Sequence, residues 1–251
     1  YKQFMSGKMR GPENSKYLVK YDGIWGFHRL AINGFGKLES NQPIELENCV
    51  LICNGEIYNW KELHREVNIE TKTFSDCEII IHMYRKYGIE YTLKKLDGVF
   101  AFVLYDELNK EYFIARDQFG VRPLFKCSIP AYGSFEGPVQ HETHVFSSVL
   151  KMMLPAFENN NISQFEPGTY MAIKNDCIIQ RQFASIVPLF NDIERPYALE
   201  IIRETLINAV RKRVQTTDRN IGCLLSGGLD SSLIASIVAR QIYPEKLHTF
   251  S

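Results

Sequence analysis

Residues 221–232 read Ile221-Gly222-Cys223-Leu224-Leu225-Ser226-Gly227-Gly228-Leu229-Asp230-Ser231-Ser232, an apolar strand running into a glycine-rich loop. A helix over 233–242 and the start of a further strand over 246–251 follow. Strand, Gly-rich turn, helix and strand make the opening βαβ unit of a parallel, doubly wound sheet, so the first strand is expected to be buried. A turn of this kind offers backbone N–H groups at the positive end of a helix dipole and thereby binds phosphate. Gly227 and Gly228 allow close approach of an anion, and Ser226, Ser231 and Ser232 add hydroxyl donors. The Gly-Lys-Ser/Thr ending of a Walker A loop is missing, whereas Asp230 suits a Mg²⁺ ion beside a pyrophosphate. A bare Gly-Gly pair here would mean only a serine-capped turn; the full string favours phosphate. Two strands cannot complete such a sheet, so this second domain is expected to be truncated within the 251 residues.

At ~150 residues per domain, a chain of 251 residues holds one large domain or two smaller ones. A loop over 187–196 reads as the link, which divides the chain into 1–187 and 188–251. The first part alternates short strands with helices, as α+β layers require. Val50-Leu51-Ile52-Cys53 reads as a strand that stops at the turn-forming pair Asn54-Gly55. Asn59 with Glu62 signals the N-cap of a helix over 60–67. Ser75 with Glu78 forms a second capping box, opening a helix with Ile79, Ile80, Met83 and Tyr87 on one face and Gly88 at its end. The clearest hairpin runs over 98–117, and its first strand, apolar on both faces, belongs in the middle of a covered sheet. The segment 128–143 reads as a variable surface loop. Leu199, Ile202, Leu206, Ala209, Val210 and Val214 fall near one face of a helix over 197–214.

Composition closes off several classes of function. Lys plus Arg and Asp plus Glu both number 29, so the formal net charge is zero and no positive excess exists to neutralise nucleic-acid or lipid phosphates. No apolar run approaches the ~20 residues of a membrane span, and the first residues hold no signal-peptide stretch. Six irregularly spaced cysteines make no disulfide framework and read as reduced thiols, so a cytoplasmic location is expected.

Five segments of the first part stand in an informative order: Arg10-Gly11-Pro12-Glu13, Phe27-His28-Arg29-Leu30-Ala31-Ile32, Asn54-Gly55-Glu56-Ile57-Tyr58-Asn59, Ser75-Asp76-Cys77-Glu78, and Ala115-Arg116-Asp117 through Arg122-Pro123-Leu124. This set resembles the class II glutamine amidotransferase domain. Followed by Ser226-Gly227-Gly228-Leu229-Asp230-Ser231-Ser232, which looks like the pyrophosphate loop of ATP pyrophosphatases, it is similar to the glutamine-hydrolysing asparagine synthetases along nearly the whole chain. Leu96-Asp97-Gly98-Val99-Phe100-Ala101-Phe102 and Gly120-Val121-Arg122-Pro123-Leu124-Phe125 are closer to eukaryotic members. The resemblance implies an αββα sandwich of the N-terminal nucleophile-hydrolase type, then the start of an α/β doubly wound ATP-pyrophosphatase domain. Implied, too, are ATP and Mg²⁺, with glutamine and aspartate as further substrates. The implied activity is a ligase that makes asparagine through β-aspartyl-AMP, using ammonia from glutamine. Members are commonly dimeric, so a second copy of the chain is an expected partner.

The residues suit that chemistry. Glutamine carries a carboxylate, an ammonium and an amide, so its pocket needs a cation, an anion and an oxyanion hole. Arg29 can clamp the carboxylate, with Leu30, Ala31, Ile32 and Asn33 along the pocket. Asp76, helped by Glu56, can receive the ammonium; the Asn54 side chain and the Gly55 N–H can stabilise the oxyanion. The resemblance also places Leu225 near ATP and Asp230 on Mg²⁺. Taken singly, each has a plainer reading: Arg29 as a surface ion pair, Asn54-Gly55 as a hairpin turn, Asp76 as a favourable charge at a helix start.

Three departures accompany the match. The family nucleophile is a mature N-terminal cysteine with its own α-amine as base, whereas this sequence starts at Tyr1 and its first cysteine is Cys49. None of Cys49, Cys53, Cys77, Cys127, Cys177 and Cys223 can offer a free α-amine; because Arg10-Gly11-Pro12 falls early relative to the family and the domain still needs a first strand, the resemblance implies roughly twenty residues upstream. Lys8 and Met9 replace the usual histidine before Arg10, and Glu13 replaces the usual aspartate. As written the chain is expected not to hydrolyse glutamine. Alternatives from other classes are a related carboxylate-adenylating synthetase and a non-catalytic glutamine- or ATP-binding relic.

Overall fold

The computed structural model describes residues 1–21, 23–129, 142–154, 161–186 and 194–251. They fall into two units, Tyr1–Ile186 and Val187–Ser251. The expected loop tip over 130–141 and most of the expected linker, 187–193, lie outside the described residues.

Side-chain alternation decides the layering of the first unit. The chain passes through α1 (Lys2–Met5), β1 (Asn14–Lys20), β2 (Gly23–Arg29), β3 (Ile44–Leu46) and β4 (Cys49–Ile57). Next come α2 (Trp60–Val67), α3 (Ile79–Tyr87), α4 (Ile89–Lys95), β5 (Gly98–Asp106), β6 (Glu111–Arg116), β7 (Phe125–Ile129) and β8 (Thr143–Ser147). The unit ends with α5 (Leu150–Met153), β9 (Ser163–Gln164), β10 (Thr169–Lys174) and β11 (Cys177–Gln182). The main sheet has the order β11-β10-β6-β5-β4-β3 and is antiparallel throughout, with the apolar strand β5 in its middle as its composition requires.

Phe100, Phe102 and Leu104 of β5 and Leu51, Cys53 and Ile57 of β4 face helices α2 to α4 in the principal core. Each large apolar side chain fully buried there contributes about 1.5–3 kcal/mol. The intervening positions face the other way. Ala101, Ile114 and Met171 pack with Leu124 and Phe165 beside the small sheet β8-β7-β9. Val50 and Tyr105 pack on Trp25 of the β1-β2 ribbon. One helical layer and two sheet layers therefore stack as expected for an α+β amidotransferase domain. The fourth layer of the expected αββα sandwich is reduced, among the described residues, to the one-turn helices α1 and α5.

Four local expectations are corrected. The strand containing Val50-Leu51-Ile52-Cys53 does not stop at Asn54-Gly55: β4 continues to Ile57, with Asn54 opposite Ala101 and Gly55 opposite Phe100. A Cβ on Gly55 would meet Val99 O at 2.5 Å and Phe100 Cα at 2.8 Å, so the glycine serves close strand approach and not a turn. Asn59 occupies the N-cap of α2, but its side chain bridges away, Nδ2 donating to Lys95 O at 2.9 Å and Oδ1 accepting from Asp97 N at 3.0 Å. Ser75 caps a 3-10 turn over Asp76–Glu78 by accepting Cys77 N–H at 3.3 Å, while the Glu78 carboxylate turns to other donors. Tyr87 sits at the exposed end of α3, whose residues Ile79, Ile80, Ile81, His82, Met83 and Tyr84 are all buried.

The second unit holds α6 (Arg195–Gln215), β12 (Gly222–Leu224), α7 (Leu229–Ile242) and β13 (His248–Phe250). Strands β12 and β13 pair in parallel, giving the βαβ unit. The expected buried strand is exposed at Gly222 and Leu224, because the described sheet has two strands and no layer on that side. Helix α7 begins at Leu229, four residues ahead of the expected start, so Asp230, Ser231 and Ser232 form its first turn.

Candidate functional site

Hydrogen-bond parity along β4 creates an edge with one open donor. Cys53 and Ile57 direct their main-chain groups toward the β3 side: Cys53 N–H donates to Gln42 Oε1 at 2.6 Å, and Ile57 N–H donates to Asp76 Oδ2 at 2.7 Å. In an antiparallel strand, residues two apart face the same edge, so the Gly55 N–H points that way between the two side-chain caps. Asn54 and Glu56 share the opposite parity with Val50 and Ile52, whose side chains face away from the helices.

Asp76 is 5% exposed, with no cation at salt-bridge distance among the described residues. Burial pushes its carboxyl up to about 6 despite the Ile57 N–H bond, and the charge of nearby Glu56 adds to the rise. Asn33 lies close enough to favour the charged form, yet its buried Nδ2 makes no well-aligned hydrogen bond. A buried carboxylate without an ion-pair partner is costly, which is why burial raises its pKa, and a cationic ligand would offset that cost. Glu56 itself is paired, accepting from Arg122 Nη2 at 2.6 Å.

Arg29 is buried close to Asp76 and Glu13, and burial lowers its pKa. Its fork holds the loop that follows it: Nη1 donates to Lys37 O and Asn41 Oδ1, Nη2 to Asn33 O and Gly34 O, at 2.8–3.3 Å. All four terminal N–H groups are engaged, so Arg29 can clamp a carboxylate only by exchanging some of these acceptors. Glu13 anchors the next stretch, because its Oε2 accepts Ala31 N–H at 2.7 Å. Of the expected pocket residues, Ala31 and Asn33 are buried, whereas Leu30 is exposed.

The four cysteines Cys49, Cys53, Cys77 and Cys127 are buried, and burial pushes Cys49 up to about 12. Cys77, beside Cys53 and shut off from water, is also raised. These are core thiols. Among the described residues no group of three or more His, Cys, Asp or Glu is placed to hold a metal ion.

In the second unit, Gly227 has φ +82° with nothing within 4 Å of an added Cβ, and Gly228 has only Ser226 Oγ, at 3.5 Å. The loop is open toward α7's first turn. Ser226 Oγ and Ser231 Oγ stand 3.0 Å apart, Gly228 N–H donates to Ser226 Oγ at 3.4 Å, and Ser231 Oγ donates to Gly228 O at 3.2 Å. Leu225 N–H is held by Phe250 O at 2.7 Å, while Leu229 and Asp230 are exposed at the helix start. A single carboxylate beside such a cradle fits Mg²⁺, which takes one or two protein carboxylates plus phosphate oxygens.

Residues 3–189 match the glutamine amidotransferase domain family. The chain belongs to that family. Residues 201–251 match the asparagine synthase family. The chain is 39% identical over 234 residues to the glutamine-hydrolysing asparagine synthetase of Cricetulus griseus and 38% identical to that of Homo sapiens, covering 87% of this chain and 41% of each relative. It thus spans about two fifths of the length of these relatives. A glutamine phosphoribosylpyrophosphate amidotransferase from B. subtilis shares the fold at 17% identity and a TM-score of 0.50, covering 90% of this chain and 50% of that one. So does an allosteric regulatory enzyme of purine biosynthesis, at 19% identity and 0.51, covering 88% and 50%.

Sequence reasoning did not foresee the contacts of three residues of this amidotransferase unit. Gln42 caps β4 beside Gly55. Arg122, held through Asp117 Oδ2 on its N–H and Arg116 Nε on its carbonyl, pairs with Glu56. Glu78, read as a capping residue, gathers Lys72 N–H, Thr73 N–H, both threonine hydroxyls of Thr71 and Thr73, and His82 Nε2 at 2.5–3.1 Å. A buried carboxylate with that many donors would have been signalled only by the Thr71-Lys72-Thr73 run, which is locally ambiguous.

Proposed function

We propose that this chain carries the glutamine site and the ATP site of a glutamine-hydrolysing asparagine synthetase. The glutamine ammonium pairs with Asp76, whose buried carboxylate lacks a cation, with Glu56 nearby. Its carboxylate is received by Arg29, which releases carbonyls of its own loop to do so, along the 30–33 stretch. The amide oxygen lies at the β4 edge, where the Gly55 N–H and the Asn54 side chain receive the negative charge that develops on it. The thiol that attacks is that of a mature N-terminal cysteine, as the resemblance implies, since the buried cysteines of this chain cannot serve.

In the second unit, the phosphates of ATP lie on the backbone of 225–229, with Ser226, Ser231 and Ser232 as hydroxyl donors and Asp230 holding Mg²⁺, which screens the phosphate charge. The β-carboxylate of aspartate attacks the α-phosphorus, pyrophosphate leaves, and β-aspartyl-AMP remains. Ammonia from glutamine then attacks the acyl carbon, AMP leaves, and asparagine forms.

Asp76 is the observation that carries the reading: a buried carboxylate with no cation at salt-bridge distance among the described residues, held by the Ile57 N–H and beside the Asn33 amide, suits a cationic, hydrogen-bonding ligand. Calorimetric titration with L-glutamine is the test. Binding that vanishes when the α-amine is acetylated supports the site; absence of binding overturns it. Aspartate-dependent release of pyrophosphate by the full-length protein checks the synthetase half.

A further inference from the structure

Strand β3 meets β4 through Ile44↔Leu51 and Leu46↔Cys49. Continued by two residues, that register would set the main chain of residue 42 opposite Cys53, but the strand begins only at Ile44, after Pro43. The Gln42 side chain stands in for it. Nε2 donates to Cys53 O at 3.0 Å, and Oε1 accepts Cys53 N–H at 2.6 Å. Gln42 is 6% exposed, so both bonds are shielded from water and correspondingly strong.

We propose that Gln42 is a positioning residue for glutamine hydrolysis. Its amide imitates one rung of a β-ladder, closes the edge of β4 at Cys53, and ends there. A real strand continuing alongside would offer its next carbonyl to the Gly55 N–H and cover the donor. With no partner at Cys53, the edge would loosen one rung before the donor. Asp76 claims Ile57 on the far side, so Gly55 is framed on both flanks and left open to a ligand oxygen. A side chain can stop after one rung; a main chain cannot. This inference rests on the glutamine reading above.

The test uses the full-length protein with Gln42→Met, which keeps length and volume but neither bond, and Gln42→Glu. Misplacing one oxyanion donor lowers the rate in the transition state, so Gln42→Met is expected to lower kcat for glutamine hydrolysis ~10-fold or more. The Kd for L-glutamine stays within about twofold, because the ground-state contacts persist. An uncharged carboxyl presents the same acceptor and donor pair as the amide. The rate of Gln42→Glu relative to wild type therefore recovers as pH falls and its carboxyl becomes protonated. Unchanged kcat in Gln42→Met, parallel loss of kcat and affinity, or no recovery at low pH overturns the proposal. Unfolding of both variants also overturns it, since Gln42 would then be needed for the fold itself. Wild-type protein that neither binds nor hydrolyses glutamine would instead overturn the underlying glutamine site.

Discussion

Asp76 Oδ2 accepts the Ile57 N–H at 2.7 Å, so the carboxylate proposed to receive the glutamine ammonium also ties off the strand beside Gly55, the proposed oxyanion donor. In that reading one carboxylate couples two parts of the pocket, and its titration governs both.

Burial holds the Asp76 carboxyl up at about 6, above its ordinary 3.8. The native state accordingly takes up a proton between those values that the unfolded chain has lost, and its stability falls as pH rises through that window. Asp76→Asn keeps an oxygen for Ile57 N–H and removes the buried charge. It is expected to match or exceed wild-type stability at pH 7 in chemical denaturation. Its glutamine affinity falls ~100-fold by calorimetry, the cost of losing a buried charge pair. Wild-type affinity should decline as pH drops below about 6.

Glu78 behaves in the opposite sense. Burial alone would raise its carboxyl, but His82, Thr73 and the N–H groups of Lys72 and Thr73 hold it at about 2. Its contribution to stability is full above about 4.5 and is lost as pH falls toward about 2. Glu78→Gln should therefore destabilise the protein by about 3 kcal/mol at pH 7. The gap from wild type narrows below pH about 4.5, as urea unfolding across pH would record.

Gly55→Ala places a methyl against Val99 O and Phe100 Cα, both main-chain atoms that cannot rotate away. Strands β4 and β5 must separate, at a cost of about 1–3 kcal/mol. A drop in thermal midpoint with loss of glutamine hydrolysis is expected, while an unchanged midpoint would show that the strands are not so close.

Gly227→Ala tests the phosphate cradle. The left-handed φ of +82° disfavours a Cβ by about 1–2 kcal/mol, although no atom lies within 4 Å of it. The substitution should cut ATP-dependent pyrophosphate release by the full-length protein, measured by phosphate coupling, while the strain lowers the thermal midpoint by only a few degrees. Equal release from both forms would remove the loop from ATP binding.

The sequence by itself determined the features that depend on neighbours a few residues away. The helix over 60–67, the stop of α3 at Gly88, the 98–117 hairpin and the strand–loop–helix at 222–242 are all legible from periodicity and turn chemistry, because those interactions close locally. The motif segments were legible as a set that matches the amidotransferase family, though not the hydrogen-bond partners of their residues. Only the tertiary structure decided that Asn54-Gly55 runs through a strand, since that depends on β5 lying close enough to exclude a Cβ. It likewise decided that Arg29 grips its own loop, that Glu78 gathers 71–73, and that Gln42 caps β4. These are choices among buried donors and acceptors. Each must find a partner, and which partner lies within reach is settled by how the layers stack, not by adjacent sequence.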